Sequence, residues 1–192
     1  MNYQLPTVLI VTEGLTERKY LSHLSKRNSG YVVRVVESPR KDPLSIVRFC
    51  LKEVSNRGLD PADDSVYCVI DVDFNSRKKL EQAISLARDN GVTVVISNPC
   101  FEVFYISHFR QPVPSFSKPG EAKSFLRRYI PSYSESNDYW HLLEDKQQKA
   151  LNWASMDLKD VPLELGKESA TNIGVIFGDI EKRDMEKPSP QV

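Results

Sequence analysis

Four acidic residues stand where apolar, strand-like runs give out. VLIVTEG closes on Glu13 and Gly14, SVYCVIDVD closes on Asp71 and Asp73, and VTVVISNPCFE carries Glu102 just beyond its end. Carboxylates gathered at the C-terminal ends of parallel strands are how an α/β sheet builds a site for a divalent cation. Asp71 and Asp73 are two apart, so in a regular strand they share a face but stand roughly 6–7 Å from each other. Where strand geometry relaxes into a loop, both carboxylates can turn towards one ion. Glu13, Asp71 and Asp73 in one crevice would repel one another without a cation. Mg²⁺ is the natural occupant, with Mn²⁺ as its substitute, because a hard ion takes carboxylate, water and phosphate oxygens. The plain structural alternative makes Asp71 a solvated strand end and Asp73 a loop or capping residue.

Further residues extend this set. Glu17 lies one helical turn beyond Glu13 and can face the same crevice, or it is simply a favourable acid in a first helical turn. Glu102 admits the same two readings. His108, late in an apolar helix, reads better as a histidine placed against the helix dipole than as a ligand or proton shuttle. Gly14 removes a side chain where a phosphate would approach a helix N-terminus. Three basic groups accompany the acids: Arg40 and Lys41; Arg77, Lys78 and Lys79; and Lys118, Lys123, Arg127 and Arg128. Each alone reads as a solvated face. With the acids they fit a cation held against a phosphodiester backbone, and Arg77, Lys78, Lys79, Arg127 and Arg128 are the candidate phosphate contacts. A DxD pair would also suit a manganese-dependent nucleotide-sugar transferase, which leaves Glu13 and the basic flanks without a role. Neither a Ser/His/Asp nor a Cys/His constellation, a P-loop nor a zinc-spaced cluster is visible.

The elements that must position these residues alternate in type. Strands are predicted at 7–13, 31–37, 65–71 and 92–97. Between them, helical spacing brings together Tyr20, Leu21 and Leu24, then Ile46, Val47, Cys50, Leu51 and Val54, then Leu80, Ala83, Ile84 and Ala87. Thr16 is a candidate cap for the first helix, Pro43 opens the second, Asn90-Gly91 stops the third, and Asn98-Pro99 reads as an N-cap with proline at the first helical position. The segment 58–64 is a loop by its Gly, Pro and Asp content. Near-continuous apolar strands imply a parallel sheet covered on both faces, with right-handed crossovers. The expected strand order is 2-1-3-4, a doubly wound sheet that sets Glu13 beside Asp71 at the point where the order reverses. After a Pro-rich loop at 110–120, helices are expected at about 120–130, 138–155 and 169–184 with no strand, and the tail 186–192 is expected to fray. The division is an α/β core over 1–109 and a helical extension over 110–192.

Bulk properties add mostly exclusions. The 192 residues suffice for one domain with a sizeable core. Lys+Arg and Asp+Glu number 26 each, so the whole molecule exerts no general pull on a polyanion. No apolar run approaches the roughly 20 residues that span a bilayer. The N-terminal MNYQLPTVLIV reads as a first strand rather than a signal peptide. Cys50, Cys68 and Cys100 sit singly in apolar segments, as reduced core cysteines of a cytoplasmic protein do.

Three blocks together resemble a known family: EG-x-TE-x-x-Y (Glu13, Gly14, Thr16, Glu17, Tyr20), the strand-ending DVD (Asp71, Asp73), and SNPCFEVFYISHF (Asn98, Pro99, Phe101, Glu102, His108). They look like the RloB-like family, a branch of the Toprim superfamily found in bacterial anti-phage and abortive-infection loci, often beside an AAA-type ATPase. The blocks cover residues 7–109. Further on, LRRYIPSYSE resembles the family's motif around Tyr133, with Ser134-Glu135 where a lysine is expected nearby. SATNIGVIFGDI (Thr171, Asn172) resembles its closing helix start, and Phe104 replaces the tryptophan the family tends to have. The resemblance implies a Toprim-like fold and Mg²⁺-dependent chemistry on phosphodiesters. Asp71 and Asp73 would hold the metal, Glu13 would be a further ligand or the general acid/base, and Glu102 a fourth member. A chain of this size is not expected to be a topoisomerase or a whole primase. A nuclease acting on RNA (tRNA included) or DNA is the leading expectation. A non-catalytic module that docks the ATPase or nucleic acid is the alternative.

Overall fold

The computed structural model describes residues 5–26, 29–60 and 62–186. The chain runs β1 (Thr7–Thr12), α1 (Leu15–Ser22), β2 (Val32–Glu37), α2 (Pro43–Arg57), β3 (Ser65–Asp71), α3 (Arg77–Arg88), β4 (Thr93–Asn98) and α4 (Glu102–Phe109). Then follow α5 (Pro119–Leu126), α6 (Trp140–Leu143), α7 (Gln147–Trp153), β5 (Ala170–Thr171) and α8 (Gly174–Met185). The sheet order is β2-β1-β3-β4-β5, parallel except for β5, which lies antiparallel to β4. This is a doubly wound α/β sheet, consistent with a Toprim-like fold.

Every residue of β1 is buried, so neither face of this central strand meets water. Val8 and Ile10 join one apolar cluster with Tyr20, Leu21, Phe101 and Phe104. Leu9 and Val11 join another with Ile46, Val47, Leu80 and Ala83. Helix α1 therefore lies on one face, and α2 and α3 on the other. The β1-to-β2 step runs one way across the sheet, while β2-to-β3 and β3-to-β4 run the other way. Right-handed crossovers require the covering helix to change face when the direction reverses. The reversal opens a crevice between the C-terminal ends of β1 and β3.

Much of the C-terminal extension packs on the α1 face, where Val113, Phe116, Leu126, Ile130, Tyr133, Leu143, Ile176 and Ile180 share the cluster of Tyr20 and Phe104, while Val161 and its neighbours Leu158 and Leu163 join the α2–α3 face. The expectation of no strand after residue 110 is corrected by β5, whose Thr171 stands opposite Ser97. Asn172 then prolongs the pairing with its side chain, accepting from the Ile96 N–H at 2.7 Å and donating to the Val94 carbonyl at 3.1 Å. The helix expected over 138–155 is broken into α6, a 3₁₀ turn over Glu144–Lys146, and α7. The last helix starts only at Gly174.

Two expected caps also differ. Gly14 is the N-cap of α1, leaving Thr16 inside the first turn. Asn98 ends β4, three residues short of Phe101, the N-cap of α4, and its amide donates to the Pro162 and Glu164 carbonyls at 2.6 and 2.8 Å. That amide ties down the loop beside β4 instead of starting a helix. Asp42 and Ser76 cap α2 and α3 through the Ser45 and Lys79 N–H groups. Cys50, Cys68 and Cys100 are free and buried. Among the described residues no helix is long and apolar enough to cross a membrane. The tail beyond Glu186 and Pro61 of the 58–64 loop lie outside the described residues.

Candidate functional site

Backbone pairing carries the acids past the strand ends into one place. The Glu13 N–H continues the β1–β3 ladder by donating to the Val69 carbonyl at 3.1 Å. The Glu13 carboxylate then reaches across to accept the Asp71 N–H at 3.0 Å. Beyond β3, the Val72 and Asp73 N–H groups donate to the Ser97 and Pro99 carbonyls, both at 2.9 Å, so the DVD segment stays bound to β4's exit. Asp73 turns the chain at φ +40°, a left-handed conformation that aspartate tolerates better than most residues. The Asn75 N–H closes this turn on the Val72 carbonyl at 3.0 Å. At Gly14 a Cβ would lie 2.9 Å from Glu17 Oε2, so the missing side chain lets that carboxylate fold back over the start of α1.

The result is a cleft of about 250 Å³ lined by Glu13, Glu17, Asp71, Asp73, Glu102 and Glu135, with Lys41 and Lys123 as its cations. Glu102, 3% exposed, is pinned: Tyr133 Oη donates to its Oε1 at 2.6 Å and accepts from Thr16 Oγ1 at 3.2 Å. Lys123 Nζ stands 3.8 Å from the same Glu102 oxygen and donates to Glu135. Lys41 Nζ donates to the Glu13 carbonyl.

Burial dominates the electrostatics. Glu13 is pushed up to about 7 by desolvation, against the pull of the Asp71 N–H, and the Asp73 charge adds to the rise. Glu17 is pushed up to about 8 by burial and then by Glu102 and Glu13. Asp71 lies well above the usual carboxylate range through burial first and the charges of Glu17, Glu13 and Glu102 second. Asp73 is raised by desolvation, with Lys123 opposing. Buried carboxyls in this state resist ionisation until a cation neutralises them. One oxygen of Asp71, Oδ1, is buried without a hydrogen-bond partner among the described residues. A hard-oxygen donor set with an orphaned carboxylate oxygen fits Mg²⁺ or Mn²⁺. Among the described residues no three Asp, Glu, His or Cys side chains are already drawn into ligating geometry. Carboxyls with no cation between them have no common centre on which to converge.

Glu13, Asp71, Asp73, Glu102 and Glu17 are thus brought together, and His108 is not. Its Nδ1 donates to the Phe104 carbonyl at 2.7 Å and its Nε2 accepts from Tyr20 Oη at 2.9 Å. Burial lowers its pKa to about 4, leaving a neutral core histidine away from the cleft lining. The five basic residues singled out as phosphate contacts also stand outside that lining. Arg77 is engaged by Glu81 and Glu164 along a separate groove of about 840 Å³ between α3 and residues 158–168. Lys79 pairs with Asp42 at 3.4 Å, Arg128 covers the Phe125 ring, and Lys78 and Arg127 are exposed. The cleft's cations are Lys41, from the group after β2, and Lys123, a neighbour of Arg127 and Arg128 in the third basic group. Charge clustering marks such groups without saying which member faces inward. Tyr133, 31 residues from Glu102, has no local pattern that links it to the site.

A doubly wound sheet with carboxylates lining the crevice at its order reversal defines a class: an α/β protein of Toprim-like fold with an acidic cleft at its strand ends. The family model for RloB-like proteins matches residues 8–175, and the chain belongs to the RloB-like family. No curated protein and no solved structure matches it.

Proposed function

We propose that the protein is a divalent-cation-dependent nuclease that hydrolyses phosphodiester bonds in RNA, tRNA included, or DNA. The observation that carries this reading is the Asp71 carboxylate, buried with an orphaned oxygen beside Glu13 at the crevice between β1 and β3. Asp71 and Asp73 would hold Mg²⁺ or Mn²⁺, with Glu13 as a third ligand or as the proton-exchanging group. The bound ion would polarise the phosphoryl oxygen and lower the pKa of an attacking water. Burial raises the Glu13 carboxyl to about 7 in the metal-free cleft, and a bound cation would draw it back down towards the carboxylate that a ligand or general base must be. Tyr133, itself bonded to Thr16, fixes one oxygen of Glu102 in the cleft lining. Within this reading, residues 1–109 are the catalytic core and 110–192 an extension that adds Lys123, Tyr133 and Glu135 to the site.

The resemblance to RloB-like proteins extends the proposal to an effector of an anti-phage abortive-infection system, acting in the cytoplasm and held or triggered by a partner AAA-type ATPase. Cleavage of an RNA, tRNA and DNA panel with Mg²⁺ or Mn²⁺, against a chelated control, tests the chemistry. It should be lost in Glu13→Gln and Asp71→Asn proteins that still fold.

One observation favours a second reading, a non-catalytic module that docks the ATPase or nucleic acid. The cleft sets six carboxyls against two lysines, which opposes a polyanion unless a cation intervenes. A growth-arrest assay separates the two. Toxicity that survives loss of Glu13, Asp71 and Asp73 indicates docking; toxicity abolished with them indicates chemistry.

A further inference from the structure

Lys123 and Glu135 are a pair that the proposed chemistry does not yet use, and this inference rests on the nuclease reading. Lys123 reaches the cleft from α5, its side chain 29% exposed, and stands between a buried acid and a surface acid. The buried one, Glu102, is already satisfied at the same oxygen by Tyr133. The surface one, Glu135, has a side chain 55% exposed and takes Lys123 as its partner. Its turn is held without that contact: Tyr139 Oη accepts the Ser134 N–H and donates to the Ser132 carbonyl, both at 2.9 Å. The Glu135 carboxylate is therefore dispensable to the fold. It places an oxyanion on an ammonium group at the mouth of an acidic cleft, the contact a phosphate oxygen makes with a lysine. Exposed ion pairs are weak, so a ligand anion that also contacts a bound cation displaces such a carboxylate readily.

We propose that Lys123 is the side chain that takes a non-bridging phosphate oxygen of the substrate, and that Glu135 is its resident competitor, which substrate must displace. Lys123 thereby sets how tightly substrate is held, and Glu135 keeps that affinity down until a phosphodiester arrives.

A double-mutant cycle on the full chain tests this. Binding of a fluorescein-labelled single-stranded RNA is followed by anisotropy in Ca²⁺, a hard cation with the same preference for oxygen ligands. Glu135→Gln is expected to tighten binding about three- to fivefold, and Lys123→Gln to weaken it by a similar factor. The double variant is expected to bind like Lys123→Gln alone. Lys123→Gln should also make the slope of log affinity against log salt shallower by about 0.7, as loss of one phosphate contact does for a single strand. Unchanged affinity in Glu135→Gln overturns the proposal. So does equal tightening by Glu135→Gln with and without Lys123, because the effect is then general charge repulsion. Absence of coupling in a protein that still cleaves with Mg²⁺ removes this inference alone. Failure of the wild type to bind or cleave any nucleic acid removes the nuclease reading with it.

Discussion

Asp71 is held under opposing demands, since its backbone belongs to a buried strand and its carboxylate belongs in water or on a cation. Glu13 and Glu17 share the conflict, and pH exposes it. In the unfolded chain their carboxyls ionise near the ordinary 4.5, whereas folded Glu13 and Glu17 keep their protons to about 7 and about 8. The unfolded state releases protons first, so these groups cost no stability below 4.5 and progressively more as pH rises towards about 8. The metal-free melting temperature should therefore fall across that window. Mg²⁺ or Mn²⁺ should restore it strongly at its upper end and little at its lower end. Glu17→Gln should flatten the upper part of the slope. A metal-free melting temperature independent of pH, or a cation effect equal at both ends, contradicts the assignment. Tyr133→Phe deletes the 2.6 Å bond to Glu102, and urea unfolding should report a loss of roughly 1–3 kcal/mol. The acids could be read from the sequence because strand ends are visible as the limits of apolar runs. Tyr133 and Glu135 are marked only by the family resemblance, and no local pattern ties them to the acids, because tertiary packing alone brings the chain after α5 to Thr16 and Glu102.

At the scale of elements, the edge of β4 depends on a side chain acting as backbone. Asn172 satisfies Ile96 N–H and Val94 carbonyl where the two-residue β5 has ended. Asn172→Ala leaves both buried groups unpaired and should cost roughly 2–4 kcal/mol in urea unfolding. A loss below about 0.5 kcal/mol, the range of an ordinary surface substitution, would mean that water replaces the amide without penalty. The four parallel strands and three crossover helices follow from hydrophobic periodicity and turn residues, since each is long enough to carry a period. A two-residue strand carries none, and its partner β4 supplies the geometry. Helical spacing over 138–155 is equally present through α6 and α7, yet the chain tightens into a 3₁₀ turn at Glu144–Lys146 between them. Asn98 misled for a related reason: its proline neighbour matches a helix start, but its amide is used to hold the Pro162 and Glu164 carbonyls.

Across the whole molecule the charges balance at 26 against 26, so affinity for a polyanion must come from the cleft itself. With Lys41 and Lys123 as the cleft's own cations, binding of single-stranded nucleic acid should show a log–log salt slope of about −1.4, the value for two phosphates. A slope several times steeper would place the binding face elsewhere, for instance along the basic residues of α3. The strand order 2-1-3-4 could be expected because crossover handedness leaves few alternatives, and that order is what places Glu13 beside Asp71. The extension's share of the site is legible only as a basic stretch that includes Lys123 and a resemblance around Tyr133, and the family match, across residues 8–175, runs through both. On the proposed function, the acids at these strand ends act together on phosphodiesters through a divalent cation. Cleavage of labelled RNA and DNA by wild type, Glu13→Gln and Asp71→Asn in Mg²⁺ or Mn²⁺, with folding checked by circular dichroism, tests this. Cleavage by the wild type alone, abolished by chelation, is the predicted result. Equal cleavage by all three proteins, or none by any, would contradict it.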